Sequence, residues 1–356
     1  MYDVIIVGGG YSGLATAMQL RGHRVLLVDK RPIGSHQTST CAIPLTVMRA
    51  LGAEQAALEL HDRLVLHTAG RQLTYPQRES FATFDHFAFC QALLAQTDAT
   101  VLTARATAFG PGEVATTEGP VQGRFIVDAS GWQGGRPAGA PARSLQHVGY
   151  GIETELPGRH VPGPGLHFFF ERPHVVDGYA WAFTCGSFTR LGICTFQKDV
   201  KLGPALARHL DRWGLQVGRT HGGVLATSAS APLDGERFVV GDAAGQCLPM
   251  TGEGIRSALV FGRTCGGLIA QALDGEISAG EARRRYAEAV RAIAPRRAKL
   301  RRMQWMVAHT PDGLRALVGR MATQQTVLRV MMNWYYDAGG WITPDREPLQ
   351  AVRATG

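Results

Sequence analysis

Long apolar runs are missing from this 356-residue chain. No uninterrupted apolar stretch of about 18 residues occurs, so no helical membrane span is expected. Paired cysteines are missing too. The six cysteines, at positions 41, 90, 185, 194, 247 and 265, contain no C-x-x-C, which excludes the usual zinc and dithiol signatures and suits a reducing compartment. The twelve histidines show no ligand spacing, and no metal is expected. Without a Gly-x-Ser-x-Gly elbow there is no serine-hydrolase triad to build. Basic residues outnumber acidic ones, 37 to 29, for a net charge of +8. No helix-turn-helix, zinc-finger or RNA-binding signature goes with that excess, so no nucleic-acid partner is expected. An anionic membrane surface or an anionic substrate suits it better. The first strand begins at Tyr2, which leaves no room for a signal peptide, so the expected location is cytoplasmic, with a peripheral membrane position as its variant.

Glycine, by contrast, is plentiful, at 44 residues, as expected of tight βα turns and close approaches of backbone to ligand. Tyr2 to Val7 reads as a buried strand, Ser12 to Leu20 as a helix, and Arg24 to Asp29 as a second strand. Strand, helix, strand in thirty residues is a right-handed βαβ unit. Its turn is Gly8-Gly9-Gly10-Tyr11-Ser12-Gly13. Gly8 permits the tight turn, Gly10 lets the backbone approach a pyrophosphate, and Gly13 lets helix and strand pack closely. Tyr11 and Ser12 open the helix on which the pyrophosphate sits. Asp29 ends the second strand, placed to accept from the adenosine ribose, and Lys30 follows it.

A second motif stands near residue 245: Val239-Val240-Gly241-Asp242-Ala243-Ala244-Gly245, then Pro249 and Gly252-Glu253-Gly254-Ile255. A buried strand ends in Gly241-Asp242, and a glycine-rich turn opens a long helix from about Gly254 to Leu273. Asp242 is placed for a second polyol, a ribityl chain. The helix start at Gly254 and Ile255 suits negative charge at the edge of a reduced flavin. Two dinucleotide-directed motifs far apart in one chain fit one extended cofactor, FAD, and not NAD alone. No second GxGxxG is present, so no separate NAD(P)H domain is expected.

The pairing of the two motifs resembles the para-hydroxybenzoate hydroxylase-type FAD superfamily. Within it, Gly-Asp-Ala-Ala-Gly, Pro249 and Gly-x-Gly-Ile are similar to the geranylgeranyl reductase family, over roughly residues 1–275. The family also carries Tyr-x-Trp-x-Phe-Pro along its lipid cavity; here it reads Tyr179-Ala180-Trp181-Ala182-Phe183-Thr184. A family cysteine, often followed by two glycines, corresponds to Cys41, followed here by Ala42-Ile43. An arginine often found before Phe-Asp is absent, with Phe81 near its place. The resemblance implies an α/β fold: a Rossmann-like FAD-binding domain of glutathione-reductase type (three-layer ββα), an antiparallel-sheet substrate domain and a C-terminal helical segment. The expected divisions are 1–60, 88–144 and 232–279 for FAD, 61–87 and 145–231 for substrate, and 280–356 for the helices.

Read from the residues alone, alternation puts Tyr179, Trp181 and Phe183 on one strand face, either lining a cavity or packing a core. Phe168 and Phe170 share a face and are expected in the core. Cys41 has three readings: a site residue that places a proton or modulates the flavin, a nucleophile, or a buried small side chain. Glu253 is a candidate proton donor or a capping carboxylate. The stretch Pro295 to Val307, at the end of the basic region 283–302, is expected to form a helix that either lies on an anionic bilayer or packs on the FAD lobe.

The expected activity is FAD-dependent reduction of C=C bonds in an apolar, lipid-like geranylgeranyl-type chain, with electrons from NAD(P)H or a small electron carrier. The alternatives are a flavin monooxygenase of an aromatic or polyketide, a non-redox flavin-containing isoprenoid cyclase, and an FAD-binding scaffold without turnover.

Overall fold

The computed structural model describes residues 1–68, 71–132, 148–161, 163–170, 177–197, 199–228 and 231–309, with isolated positions between 326 and 333. Two eight-stranded sheets organise the chain. Edge to edge, the main path of the first is Leu233–Asp234, Arg237–Val239, Gly119–Asp128, Tyr2–Val7, Val25–Asp29 and Thr100–Thr103. Tyr2–Val7 pairs in parallel with both of its neighbours. Its side chains alternate between two covered faces. Val4 and Ile6 pack towards the helices with Leu14, Leu259 and Phe261. Ile5 and Val7 pack towards Val114 and Ile126, on the side of an antiparallel meander, Ala106–Gly110, Glu113–Thr116 and Gly119–Asp128. A strand covered on both faces must be apolar throughout, which is why its sequence is a continuous apolar run. Helices, parallel sheet and meander are the three layers expected of the FAD lobe.

The helix expected over Ser12–Leu20 runs from Tyr11 to Ala17. It ends early because Gln19 and Leu20 donate their N–H groups three residues back, to Thr16 and Ala17, and tighten the last turn. The helix Ile255–Leu273 lies against it at backbone distance. A Cβ on Gly262 or Gly266 would run into the carbonyls of Ser12 and Thr16, and the Thr16 hydroxyl donates to the Gly262 carbonyl at 3.1 Å. This contact joins the two glycine motifs, which are more than two hundred residues apart.

The second sheet runs Thr220–Ala226, Val148–Pro157, Phe188–Thr195, Gly178–Cys185, Leu166–Phe169, Ala57–Thr68, Arg71–Phe84 and Ala42–Pro44. It is antiparallel except where Leu166–Phe169 pairs in parallel with Ala57–Thr68. Those two strands are linked through the first lobe and not by a hairpin, which is the connection that parallel pairing needs. The residue-60 division falls inside the strand Ala57–Thr68. One sheet face packs Ala180, Ala182, Leu191 and Ile193 under the helix Leu202–Asp211. The other presents Trp181, Phe183, Leu64, Leu73 and Leu166 to the first lobe. Helices Ala279–Ala292 and Ala294–His309 follow, and the rest of the expected C-terminal helical region lies largely outside the described residues. No helix among the described residues is long and apolar enough to cross a membrane.

Candidate active site and flavin cradle

A cavity of about 1640 Å³ lies between the two sheets. Gly8, Gly10, Tyr11, Ser12, Asp29 and Lys30 border one end, and Tyr179, Trp181 and Phe183 border the other, with Cys41, Asp242 and Gly252 to Ile255 between them. Gly13, Gly241, Gly245 and Pro249 do not reach it and act from behind. A Cβ on Gly13 would strike the Gly8 carbonyl, and one on Gly241 would sit 2.6 Å from the Ser12 hydroxyl. Gly245 ends its short turn in the left-handed region, at φ 61°, and Pro249 is buried.

Each glycine of the first loop answers a distinct demand. Gly8 has φ 109°, and a Cβ there would collide with the Ala129 backbone. Gly10 has nothing within 4 Å of its Cβ position, so only open cavity faces it. Asp29 accepts from the Gly9 N–H at 2.7 Å and the Arg31 N–H at 2.9 Å, so the acid also braces the loop.

Asp242 supplies the test of whether FAD fits. Burial pushes its carboxyl up to about 6, and no hydrogen bond from the described residues offsets it. Asp242 is half-buried and faces the cavity, and a carboxylate there without a protein donor calls for one from a ligand. A ribityl hydroxyl is such a donor, and the helix Ile255–Leu273 opens its N-terminus beside it, with Gly254 as its first carbonyl. The residues therefore fit FAD. Asp29 and the Gly8–Ser12 loop would hold its ADP half, and Asp242 and Gly252 to Ile255 its flavin half.

Cys41 borders the cavity yet exposes none of its own surface. Its backbone is left-handed, at φ 54°, a conformation that disfavours a side chain. Buried Arg190 holds the loop in that shape by donating to the carbonyls of Thr40 and Phe84, both at 3.0 Å, while the Phe84 N–H donates to the Cys41 carbonyl. Burial pushes the thiol up to about 12. It is therefore a protonated thiol, able to give a proton and poorly suited to nucleophilic attack. Glu253 borders the cavity as well, but its carboxylate is engaged by Arg256, one helical turn on.

Trp181, Tyr179 and Phe183 share the cavity face, as alternation requires. The indole lies on Gly192, where any Cβ would overlap it, and its N–H donates to Glu153 at 2.9 Å. The Tyr179 hydroxyl donates to the Thr251 carbonyl at 2.8 Å and ties this strand to the flavin loop. Thr184, which stands where the resembled family has proline, points to the other face and donates to Glu59.

Phe168 and Phe170, expected in the core, border the cavity instead. Phe168 is in register with Trp181, so it shares that face and meets Phe183 edge-on at 5.1 Å. The buried partner in that strand is Phe169, packed on His209 and Trp213. Sequence reading also missed Met303, Gln304, Met306 and Met332 on the cavity wall, and His86 and Glu153. No sequence signal marked any of these, because each reaches the cavity through packing or pairing with residues far along the chain.

In the basic helix, Arg297 is buried and donates to the carbonyls of Thr227 and Gly245, while Leu300 packs against the first lobe with Val260 and Leu248. Trp305 and Met306 on the same helix are 62% and 53% exposed. Upstream, Arg284 and Arg285 pair with Glu281, and Arg283 with Glu236.

The family profile described as FAD dependent oxidoreductase matches residues 3–61. Digeranylgeranylglycerophospholipid reductase 2 of Methanopyrus kandleri is 27% identical over 325 residues, which is 80% of this chain and 81% of that protein. A geranylgeranyl bacteriochlorophyll reductase-like protein from Thermoplasma acidophilum superposes with a TM-score of 0.81 at 19% identity, covering 95% of this chain and 97% of the other. PqsL, a probable FAD-dependent monooxygenase from Pseudomonas aeruginosa, gives 0.64 at 14% identity, over 87% and 100%. These two likenesses speak to the fold. The profile names the cofactor that the cradle fits, so the chain is an FAD-dependent oxidoreductase, and over most of its length it is similar to a protein named as a geranylgeranyl-type lipid reductase.

Proposed function

We propose that the protein reduces C=C bonds of an isoprenoid chain of geranylgeranyl type. The observation that carries this reading is the continuity of the cavity from the flavin cradle into an arm walled by Phe168, Tyr179, Trp181, Phe183 and methionines. Flat aromatic faces and pliable thioethers suit a polyene that must slide until one double bond is in place. The name of the Methanopyrus relative supports the same substrate class.

When bound, reduced FAD supplies the hydride. The electrons would come from NAD(P)H or a small electron carrier. The protein's share is to hold the alkene at the flavin, keep water out and deliver one proton. Cys41 is the proposed proton donor, since it is a neutral thiol at the cavity wall in a loop clamped by Arg190. Asp242 and the Gly254 helix start orient the cofactor, and Trp181, fixed by Glu153, orients the chain. The exposed Trp305 and Met306, where the helix meets the cavity, suit a protein that takes its substrate from an anionic membrane surface.

The test is to incubate the purified yellow protein with dithionite and digeranylgeranylglycerophospholipid and to weigh the products. A pair of hydrogens gained per double bond is expected. No gain in mass from any geranylgeranyl lipid, together with oxygen incorporated into an aromatic compound under air, would replace this reading with a monooxygenase. An isomer of unchanged mass would replace it with a cyclase.

A further inference from the structure

Tyr11 belongs to the glycine loop, yet its side chain turns away from the nucleotide end of the cavity. Its hydroxyl lies 3.4 Å from Cys41 Sγ and 2.7 Å from His86 Nδ1. Phe84 and Phe89 pack edge-on against the phenol ring, and the His86 ring does so from a third side, so the hydroxyl has little room to swing. The Cys41 S–H has its own acceptor, the Ser39 carbonyl at 3.1 Å. Tyr11 is then free to donate to the sulfur, and His86 Nδ1–H to donate to Tyr11. All three residues border the cavity, and His86 is half-buried at its edge. No part of cofactor binding requires this arrangement.

We propose that His86 and Tyr11 form a proton relay that restores the Cys41 thiol after each turnover. The inference rests on the reading of Cys41 as the proton donor. Once the thiol proton has gone to the substrate carbon, a thiolate remains. The Tyr11 O–H proton passes to that sulfur, the His86 Nδ1 proton passes to the Tyr11 oxygen, and His86 Nε2 takes one proton from water at the cavity edge. Rotation or exchange at the ring then returns the Nδ1–H form. No electrons move, and one water-derived proton enters for each proton delivered. The resting charges agree with a neutral chain: burial pushes Cys41 up to about 12 and Tyr11 above its ordinary range, and lowers His86 to about 4. Tyr11 and His86 thus act through Cys41 and do not touch the substrate.

Two measurements test this. The first needs no turnover. Nitrogen NMR of histidine-labelled protein, with His86 assigned from His86→Gln, is expected to show the proton on Nδ1, reverting to Nε2 in Tyr11→Phe. A wild-type His86 protonated on Nε2 overturns the relay. The second compares first-turnover and steady-state rates of the holoenzyme on digeranylgeranylglycerophospholipid with dithionite as reductant. The first turnover draws on the proton already on Cys41, whereas later ones need the relay. In Tyr11→Phe and His86→Ala the ratio of steady-state to first-turnover rate is expected to fall by about tenfold or more, and imidazole is expected to restore it in His86→Ala. An unchanged ratio in both, with Cys41→Ala slow in its first turnover, sinks the relay and leaves Cys41 as donor. A Cys41→Ala enzyme with the wild-type first-turnover rate sinks both.

Discussion

The two ends of the cavity are made of different material. The nucleotide end is built from backbone: Gly8 at φ 109°, Gly13 packed on the Gly8 carbonyl, and a Gly10 whose missing side chain is open space. The aromatic end is built from side chains on strands of the second sheet and on the C-terminal helix. A backbone demand has one answer, since only glycine adopts such angles or such proximity without strain. An apolar wall has many answers, because any residue of suitable volume will serve. The first end is therefore constrained in sequence and the second is free to vary, and under the proposed function substrate choice would reside in the second.

The most forceful way to break this contrast is Gly10→Glu. Nothing in the protein lies near that Cβ, so the fold is expected to survive, with wild-type circular dichroism. The added carboxylate would meet the pyrophosphate, and FAD affinity is expected to fall roughly a hundredfold or more, giving colourless protein. Yellow protein at full stoichiometry would overturn the placement of the nucleotide. Asp242→Ala comes next. Losing an acceptor for the ribityl chain is expected to weaken FAD by about 1.5–3 kcal/mol, or roughly tenfold to a hundredfold, in a flavin-fluorescence titration. Trp181→Ala is expected to leave that titration within about threefold while raising KM. Equal losses in the two variants would show that the ends are not separable.

The same contrast explains what could be read in advance. The βαβ unit, Asp29, Gly241-Asp242 and the helix after Gly254 were legible because glycines and a terminal acid mark them at fixed offsets. The strands at 57–84 were legible only as alternation over 63–77, because their ends depend on pairing with distant partners. Phe168 was misjudged because a single strand does not say which of its faces meets the cavity; the register with Trp181 does, and that is a tertiary fact. His86 and Glu153 were invisible for the same reason. Each is one polar residue in an unremarkable stretch, made significant by a side chain from 75 or 28 positions away.

A sharper probe of the aromatic end is Gly192→Ala. The methyl group would overlap the Trp181 indole and push it into the cavity. Overpacking of this kind is expected to cost about 1–3 kcal/mol in denaturant unfolding, with FAD still bound and longer substrates losing more rate than shorter ones.

The two lobes should also answer pH in opposite senses. In the FAD lobe, Asp242 is raised from its ordinary 3.8 to about 6, so without cofactor its contribution to stability is full below about 3.8 and lost as pH rises through about 6. In the substrate lobe, burial lowers His167 from its ordinary 6.5 to about 4, with His67 stacked against it, so its contribution is full above 6.5 and lost as pH falls through about 4. His61 and His86 add in the second sense. Between pH 4 and 6 the two trends oppose each other. Apoprotein carrying Asp242→Asn is expected to lose stability more steeply than wild type on acidification, and His167→Gln less steeply. Identical pH curves for all three proteins would show that neither group titrates as its burial requires.

The smallest effect tests how firmly the aromatic end is held. Glu153 accepts the Trp181 N–H at 2.9 Å and meets His221 at 2.7 Å on its other oxygen. Glu153→Gln keeps an acceptor for the indole and removes only the charge, so a change of no more than about 1 kcal/mol is expected. Glu153→Leu leaves the indole N–H buried without an acceptor, and a loss of about 1–3 kcal/mol is expected, with a changed near-ultraviolet tryptophan signal. If both variants behave alike, charge and not the hydrogen bond holds Trp181. If the leucine variant alone moves the signal, the indole is fixed by one neutral-capable contact, and the aromatic end is as pre-set as the glycine end although its sequence does not advertise it.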